Sequence, residues 1–304
     1  MNRKFEIETT GINYNYSGDV RTLDGINLQV EKGSVYGFLG PNGSGKTTTL
    51  SLLLGLLHVQ EGNVEIFGKN IRHHRVDILR KVGALVEKPS LYGHLSAREN
   101  LEIYRRIYYA SKPKIDEVLG IVGLSETGSK SVRKFSLGMT QRLSIALALL
   151  PSPEVLILDE PTNGLDPTGI IELRQLIGKL NQEHGMTILV SSHILAEVEK
   201  MATHVGIIAA GKMLFQGTLK ELFFLQKLQT KLQIRTSDND AAMAFLSEYP
   251  LQKDADMLVM PFVEQEEIAQ INRLLVNRGL DVYLLRPTEH NLEQLFIDLT
   301  TNKK

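Results

Sequence analysis

A glycine-rich octapeptide, Gly40-Pro-Asn-Gly-Ser-Gly-Lys-Thr47, separates two strongly patterned stretches. Before it, Ser34-Val-Tyr-Gly-Phe-Leu39 reads as a buried strand. After it, Thr47–Leu57 reads as a helix. The pattern G-x-x-x-x-G-K-T between strand and helix is a phosphate-binding loop. Its glycines let successive backbone N–H groups converge on an anion, and the following helix N-terminus adds a favourable dipole. Lys46 then brings a point charge to the β and γ phosphates, and the Thr47 hydroxyl suits Mg2+.

The rest of the first two thirds agrees with that local geometry. Residues 5 to 38 alternate apolar and polar in short pieces, such as Phe5-Glu-Ile-Glu and Ile26-Asn-Leu-Gln-Val30, which predicts strands. Residues 90 to 150 are helix-rich, with Leu101, Tyr104, Ile107 and Tyr108 at helical spacing. Val155–Leu158 is a short apolar run ending in Asp159-Glu160. A strand that ends in two carboxylates beside a phosphate loop offers Asp159 for Mg2+, through water, and Glu160 to orient or deprotonate an attacking water. Asp166-Pro167 opens a further helix as N-cap and first-turn proline, with Ile170, Ile171, Leu173, Leu176, Ile177 and Leu180 on its inner side and Gly185 at its end. The strand Met186–Ser191 and then His193 follow. Strands alternating with helices predict an α/β fold, a mainly parallel sheet covered on both faces.

Bulk properties exclude several classes. A formal net charge of −1 gives no basic field for nucleic-acid binding. The absence of cysteine excludes disulfides and thiolate metal sites. The first residues lack the apolar core of a signal peptide. The most apolar stretch, Leu143 to Leu158, is interrupted by Pro151, Pro153 and Glu154, short of the roughly 18 to 20 residues of a spanning helix. A membrane role is therefore expected only through a partner.

One ordered set of segments carries a family resemblance. After the glycine loop come Ser136-Leu-Gly-Met-Thr-Gln-Arg142, Val155-Leu-Ile-Leu-Asp-Glu-Pro161, Gly164-Leu-Asp166 and His193. In this order they resemble the nucleotide-binding subunit of an ABC transporter over residues 1 to about 215. The resemblance implies a P-loop NTPase with a RecA-like core, an N-terminal antiparallel β subdomain, a helical subdomain at about 88–150 and a small α+β C-terminal domain. The chain is accordingly expected to divide into 1–217 and 218–304. Leu219 to Leu228 reads as a helix, and 231–299 as two strand–helix pieces closing on a helix at Leu292–Leu299.

The resemblance also implies ATP and Mg2+ as ligands, held by Gly40, Pro41, Asn42, Gly43, Ser44, Gly45, Lys46, Thr47 and Thr48, with Asp159 on the metal side. It makes Glu160 the general base, assisted by His193 and Lys46. Ser136 and Gly138 would contact the γ-phosphate held by the opposite copy of a homodimer, and Asp166 would carry signals between the two sites. Tyr16, or else Tyr14, would stack on adenine. The pentapeptide Phe135-Ser-Leu-Gly-Met139 matches the usual Leu-Ser-Gly-Gly-Gln only at Ser136 and Gly138, and Glu87 stands where the family has glutamine, as a nucleotide and Mg2+-side ligand. These departures resemble the branch serving bacitracin-type resistance and lantibiotic immunity. The implied partner is a separate polytopic permease, met at the cytoplasmic face of the membrane, with no nucleic acid. A lipid, drug or ion cargo stays open, as does a soluble non-transport ATPase.

Overall fold

The computed structural model describes residues 4–16, 21–86 and 91–288. The chain divides into two compact units, Met1–Leu219 and Lys220–Lys304.

The first unit is organised around a six-stranded sheet ordered Lys212–Thr218, His204–Ala209, Val35–Leu39, Thr187–Ser192, Val155–Leu158, Val82–Leu85. All neighbours are parallel except the first pair. Val35–Leu39, Val155–Leu158 and Thr187–Ser192 are buried at every position. That continuous burial is why these strands read as unbroken runs of apolar or small residues rather than alternations. A Cβ at Gly37 would come 2.1 Å from Val198 Cγ1, so this glycine admits the helix Leu195–Glu199 against the sheet.

A second, antiparallel sheet packs its inner face into the same core. Phe5–Tyr14 pairs with Leu23–Ile26, Gln29–Glu31 and Glu61–Ile66, and Lys69–Asn70 pairs with the last of these. Ile7, Ile12 and Ile66 from this sheet, with Leu28 from the step between two of its strands, meet Phe38, Leu50, Ile157 and Leu189 in one cluster. The expected strand across 26–30 is instead two short ones. The Thr9 hydroxyl donates to Ile26 O at 3.0 Å and accepts from Leu28 N at 2.8 Å, filling the ladder where the chain steps between them.

The helical segment holds Ala97–Tyr108, Pro113–Ile121 and Leu137–Leu149. Ser96 and Glu99 form a reciprocal capping box at the first of these. Pro167–His184 is capped by Asp166 and stopped by left-handed Gly185.

Two further expectations are corrected. The helix after the glycine loop ends at Leu53, not Leu57, because Gly55 turns into the left-handed region at φ 62° against Arg75. Ile170 is half-buried and Ile171 exposed, since the helix buries the stripe Leu173, Leu176, Ile177 and Leu180. The helix expected from Leu101, Tyr104, Ile107 and Tyr108 is present as Ala97–Tyr108, with Ile107 and Tyr108 projecting from it, 62% and 48% exposed.

The second unit is a four-stranded antiparallel sheet ordered Gln252–Asp254, Met257–Pro261, Lys231–Thr236, Val282–Pro287, with Asn239–Phe245 and Gln265–Asn277 as helices. Its own core gathers Leu232, Ile234, Leu246, Leu258, Met260, Ile271 and Leu275. Lys231–Thr236 with Asn239–Phe245, and Met257–Pro261 with Gln265–Asn277, form the two expected strand–helix pieces, and the hairpin strand Gln252–Asp254 and Val282–Pro287 are additional. The helix expected at Leu292–Leu299 lies outside the described residues.

Candidate active site

Three neighbouring parallel strands deliver the site from their carboxyl ends, where open α/β sheets place their ligands. Val35–Leu39 runs into the loop 40–45, Val155–Leu158 into Asp159 and Glu160, and Thr187–Ser192 into His193. The loop cannot be built from larger residues. A Cβ at Gly40 would lie 2.3 Å from Ile208 O, and Gly45, at φ 107°, sits against Leu23.

A cavity of about 470 Å³ opens at this end, lined by Tyr16, Thr22, Asn42, Gly43, Gly45, Lys46, Thr47, Thr48, Glu160, Asn163 and His193. Lys46, although only 6% exposed, is fully engaged. Its Nζ donates to Gly40 O at 2.7 Å and Pro41 O at 3.3 Å, and lies 3.1 Å from Glu160 Oε1. A buried cation is tolerable only with such compensation. The other carboxylate oxygen, Glu160 Oε2, lies 2.6 Å from His193 Nδ1. Glu160 itself takes a left-handed backbone, φ 46°, uncommon for a residue with a side chain. Such a conformation persists only where its surroundings hold it, and it clusters at functional sites.

Asp159 is held from two sides. The Thr47 hydroxyl donates to Oδ2 at 2.8 Å and the Ser191 hydroxyl donates to Oδ1 at 2.5 Å. Thr47 and Asp159 thus present hard oxygen donors side by side. No cluster of three or more His, Cys, Asp or Glu exists among the described residues. A hydroxyl and one carboxylate suit Mg2+, which is commonly completed by substrate phosphates and water.

Of the two candidate aromatics, only Tyr16 reaches the cavity. It is 62% exposed, whereas Tyr14 is 8% exposed. Their rings meet edge to face at 5.1 Å and 86°, and Tyr16 Oη lies 3.2 Å from Thr48 Oγ1. Ser44 is buried, and its hydroxyl has no partner among the described residues.

Ser136, Gly138 and Asp166 do not line this cavity. They stand at two helix N-termini that lie together: a Cβ at Gly164 would be 3.1 Å from Leu137 Cδ2. Ser136 Oγ accepts from Met139 N at 3.2 Å, and Asp166 Oδ1 from Gly169 N at 3.1 Å, so each caps its helix. Glu87 lies outside the described residues. Three participants escaped the sequence reading. Thr22 and Asn163 line the cavity, and Ser191 binds Asp159. The only signal for Ser191 was a hydroxyl closing an apolar run.

A family model described as "ABC transporter" matches residues 23–163. The bacitracin transport ATP-binding protein BcrA of Bacillus licheniformis is 45% identical over 303 residues, covering 96% of both chains. The chain belongs to the ABC transporter family. It is an ATP-binding subunit of that family, and its chemistry is ATP hydrolysis. The lantibiotic transport ATP-binding protein SrtF of Streptococcus pyogenes is 44% identical over 215 residues, 69% of this chain and 92% of SrtF. Among solved structures, a dimeric ATP-binding cassette in a post-hydrolysis state bound to ADP and Pi matches with a TM-score of 0.62 at 26% identity. That match covers 70% of this chain and 98% of the cassette.

Proposed function

We propose that this chain, as a homodimer, drives a separate membrane permease exporting an antimicrobial peptide of the bacitracin or lantibiotic class. The observation that carries the catalytic part is the Glu160 carboxylate, with one oxygen 3.1 Å from Lys46 Nζ and the other 2.6 Å from His193 Nδ1, at the wall of the cavity.

In this reading the β and γ phosphates of ATP lie on the backbone N–H groups of 40–47, with Lys46 neutralising their charge. Thr47, and Asp159 through water, would hold Mg2+, which would supply charge neutralisation on the phosphate oxygens. Glu160 accepts a proton from water as its oxygen attacks the γ-phosphorus, and the bond to the β-phosphate oxygen breaks to leave ADP and phosphate. His193 fixes the carboxylate in the geometry that this needs. Tyr16 stacks on adenine, a contact worth about 1–3 kcal/mol.

Ser136 and Gly138, at their helix N-terminus, complete the γ-phosphate site of the opposing copy, and Asp166 beside them carries signals between the two sites, which fits their absence from the cavity of their own chain. No helix among the described residues is long and apolar enough to cross a membrane, so transport requires the permease, docked at its cytoplasmic face. A groove of about 320 Å³ in the same unit, lined by Ala84, Leu85, Tyr104, Tyr108, Ser144 and Ala148, offers a seat of mixed polar and apolar character for a short permease helix. The cargo rests on BcrA and SrtF, together with Glu87 and the divergent pentapeptide at 135–139.

The test is a tagged Glu160→Gln variant, added with ATP and Mg2+ to solubilised membranes of the native host. Co-purification of a polytopic protein, whose loss sensitises cells to bacitracin or a lantibiotic, is the expected result. Recovery of ribosomal components, or of a dimer without a membrane partner, contradicts it.

A further inference from the structure

Ser191 occupies the end of the central strand Thr187–Ser192, paired in register with Phe38, and has no exposed surface. A hydroxyl at such a depth must be bonded, because an unmatched one is penalised by lost hydration. Both of its bonds go to the two residues that follow the neighbouring strand. It donates to Asp159 Oδ1 and accepts from Glu160 N at 2.8 Å. One hydroxyl therefore holds a carboxylate by its side chain and the next residue by its main chain.

The second bond bears directly on Glu160. That residue is left-handed at φ 46°, and its N–H is the group Ser191 anchors. Its carboxylate reaches between Lys46 and His193. The first bond fills one oxygen of Asp159, leaving Thr47 on the other. His193 follows Ser191 by two residues, so one strand end also delivers the histidine.

We infer that Ser191 is a positioning residue for catalysis, setting the direction of the Asp159 carboxylate and the backbone turn of Glu160 from the strand that also carries His193. The inference rests on the reading of Asp159 as the metal-side carboxylate and Glu160 as the base. It does not place Ser191 in contact with nucleotide.

The test compares Ser191→Ala and Ser191→Thr with the parent in the full-length chain. Ser191→Ala removes both bonds, one of them to a charged group, and is expected to lower kcat about 10- to 100-fold. KM for ATP should stay within about threefold, since ground-state binding keeps its own contacts. The Mg2+ concentration for half-maximal rate should rise, while binding of a fluorescent ATP analogue without metal stays unchanged. Ser191→Thr, which keeps the hydroxyl, should recover most of the rate.

Parental turnover in Ser191→Ala would overturn the inference. So would equal loss in the Ala and Thr variants accompanied by weaker metal-free nucleotide binding and a lower Tm, which marks a packing role. Glu160→Gln separates the two levels. If it hydrolyses ATP at the parental rate, the assignment of the base falls and this inference with it. If it is inactive while Ser191→Ala is normal, the Ser191 inference alone fails.

Discussion

His193 Nδ1 lies 2.6 Å from Glu160 Oε2, across the ends of two adjacent strands. Neither residue is near the other in sequence, and the parallel pairing of Leu158 with Val190 brings them together. The histidine holds one carboxylate oxygen while the other faces Lys46. A base whose geometry is set by a neighbour loses rate, not binding, when that neighbour goes. His193→Ala is therefore expected to lower kcat by about 10²-fold or more, the scale of a positioned general base, with ATP affinity retained. Glu160→Gln should abolish turnover and keep nucleotide binding. Single-turnover hydrolysis beside equilibrium binding of labelled ATP reads both.

Tyr16 and Tyr14 should separate by the same kind of comparison. Tyr16→Ala removes an exposed ring at the cavity, and nucleotide affinity should fall about 5- to 150-fold with the melting temperature nearly unchanged. Tyr16→Phe, which keeps the ring and loses only the hydroxyl near Thr48, should bind almost normally. Tyr14→Ala hollows the core and should cost about 3 kcal/mol of stability. Isothermal titration and thermal melts check the pair; weaker binding only in the Tyr14 variant would reverse the assignment.

Gly138 gives a test of the dimer. A side chain there has open space in its own chain: the nearest atoms to a Cβ at this position, Leu165 Cδ2 and Ser136 Oγ, lie 4.0 Å away. Gly138→Asp should thus fold and bind ATP as a monomer. Facing the γ-phosphate of a second copy, the added carboxylate repels it, and ATP-driven dimerisation of a Glu160→Gln background should disappear in sedimentation experiments. Dimers of unchanged affinity would exclude this loop from the interface.

Much of the candidate site was legible because its residues are local in sequence. The loop 40–47 contains its own glycines, lysine and hydroxyl, and Asp159-Glu160 sits at the end of a four-residue apolar run. What the sequence could not display were cross-strand relations. Ser191 serves Asp159 and Glu160 only because its strand lies beside theirs. The choice of Tyr16 over Tyr14 depends on which face of the N-terminal sheet is covered. Helical spacing alone overestimated burial at Ile170 and Ile171, because spacing names a stripe and only packing decides how much of it is covered. The 252–261 hairpin was missed for a related reason: Gln252, Lys253 and Asp254 are all exposed on an edge strand and carry no alternation.

Glu102 provides a titration test of the helical segment. Hydrogen bonds from Arg105 and then Arg106, one turn further along the same helix, pull its carboxyl down to about 2. The folded value is below the unfolded one, so the pairs contribute fully above the ordinary glutamate range. Their contribution is lost as pH falls from about 4.5 toward about 2. The Glu102 carboxylate should remain ionised at pH 4, where an unpaired glutamate is largely protonated. Carbon-detected NMR titration reads this directly, and an ordinary titration near 4.5 would show that the fork does not hold in solution.

The groove beside Tyr108 allows coupling to be separated from catalysis. Leu85, Ala84 and Ala148 are among its apolar lining residues, and Tyr108 forms part of its wall while 48% exposed. Ile107, next to it, is 62% exposed. If the proposed permease helix docks here, these exposed side chains are part of the surface it covers. Tyr108→Glu places a charge where an apolar helix would be buried, and desolvating an unpaired carboxylate is costly. The isolated subunit should keep its ATPase rate, since the nucleotide cavity shares no lining residue with this groove. Co-purification of the permease, and the resistance it confers, should fall together. Retained permease binding in Tyr108→Glu would move the docking surface elsewhere on the subunit, whereas loss of ATPase in the isolated protein would show that the groove and the nucleotide site are not independent.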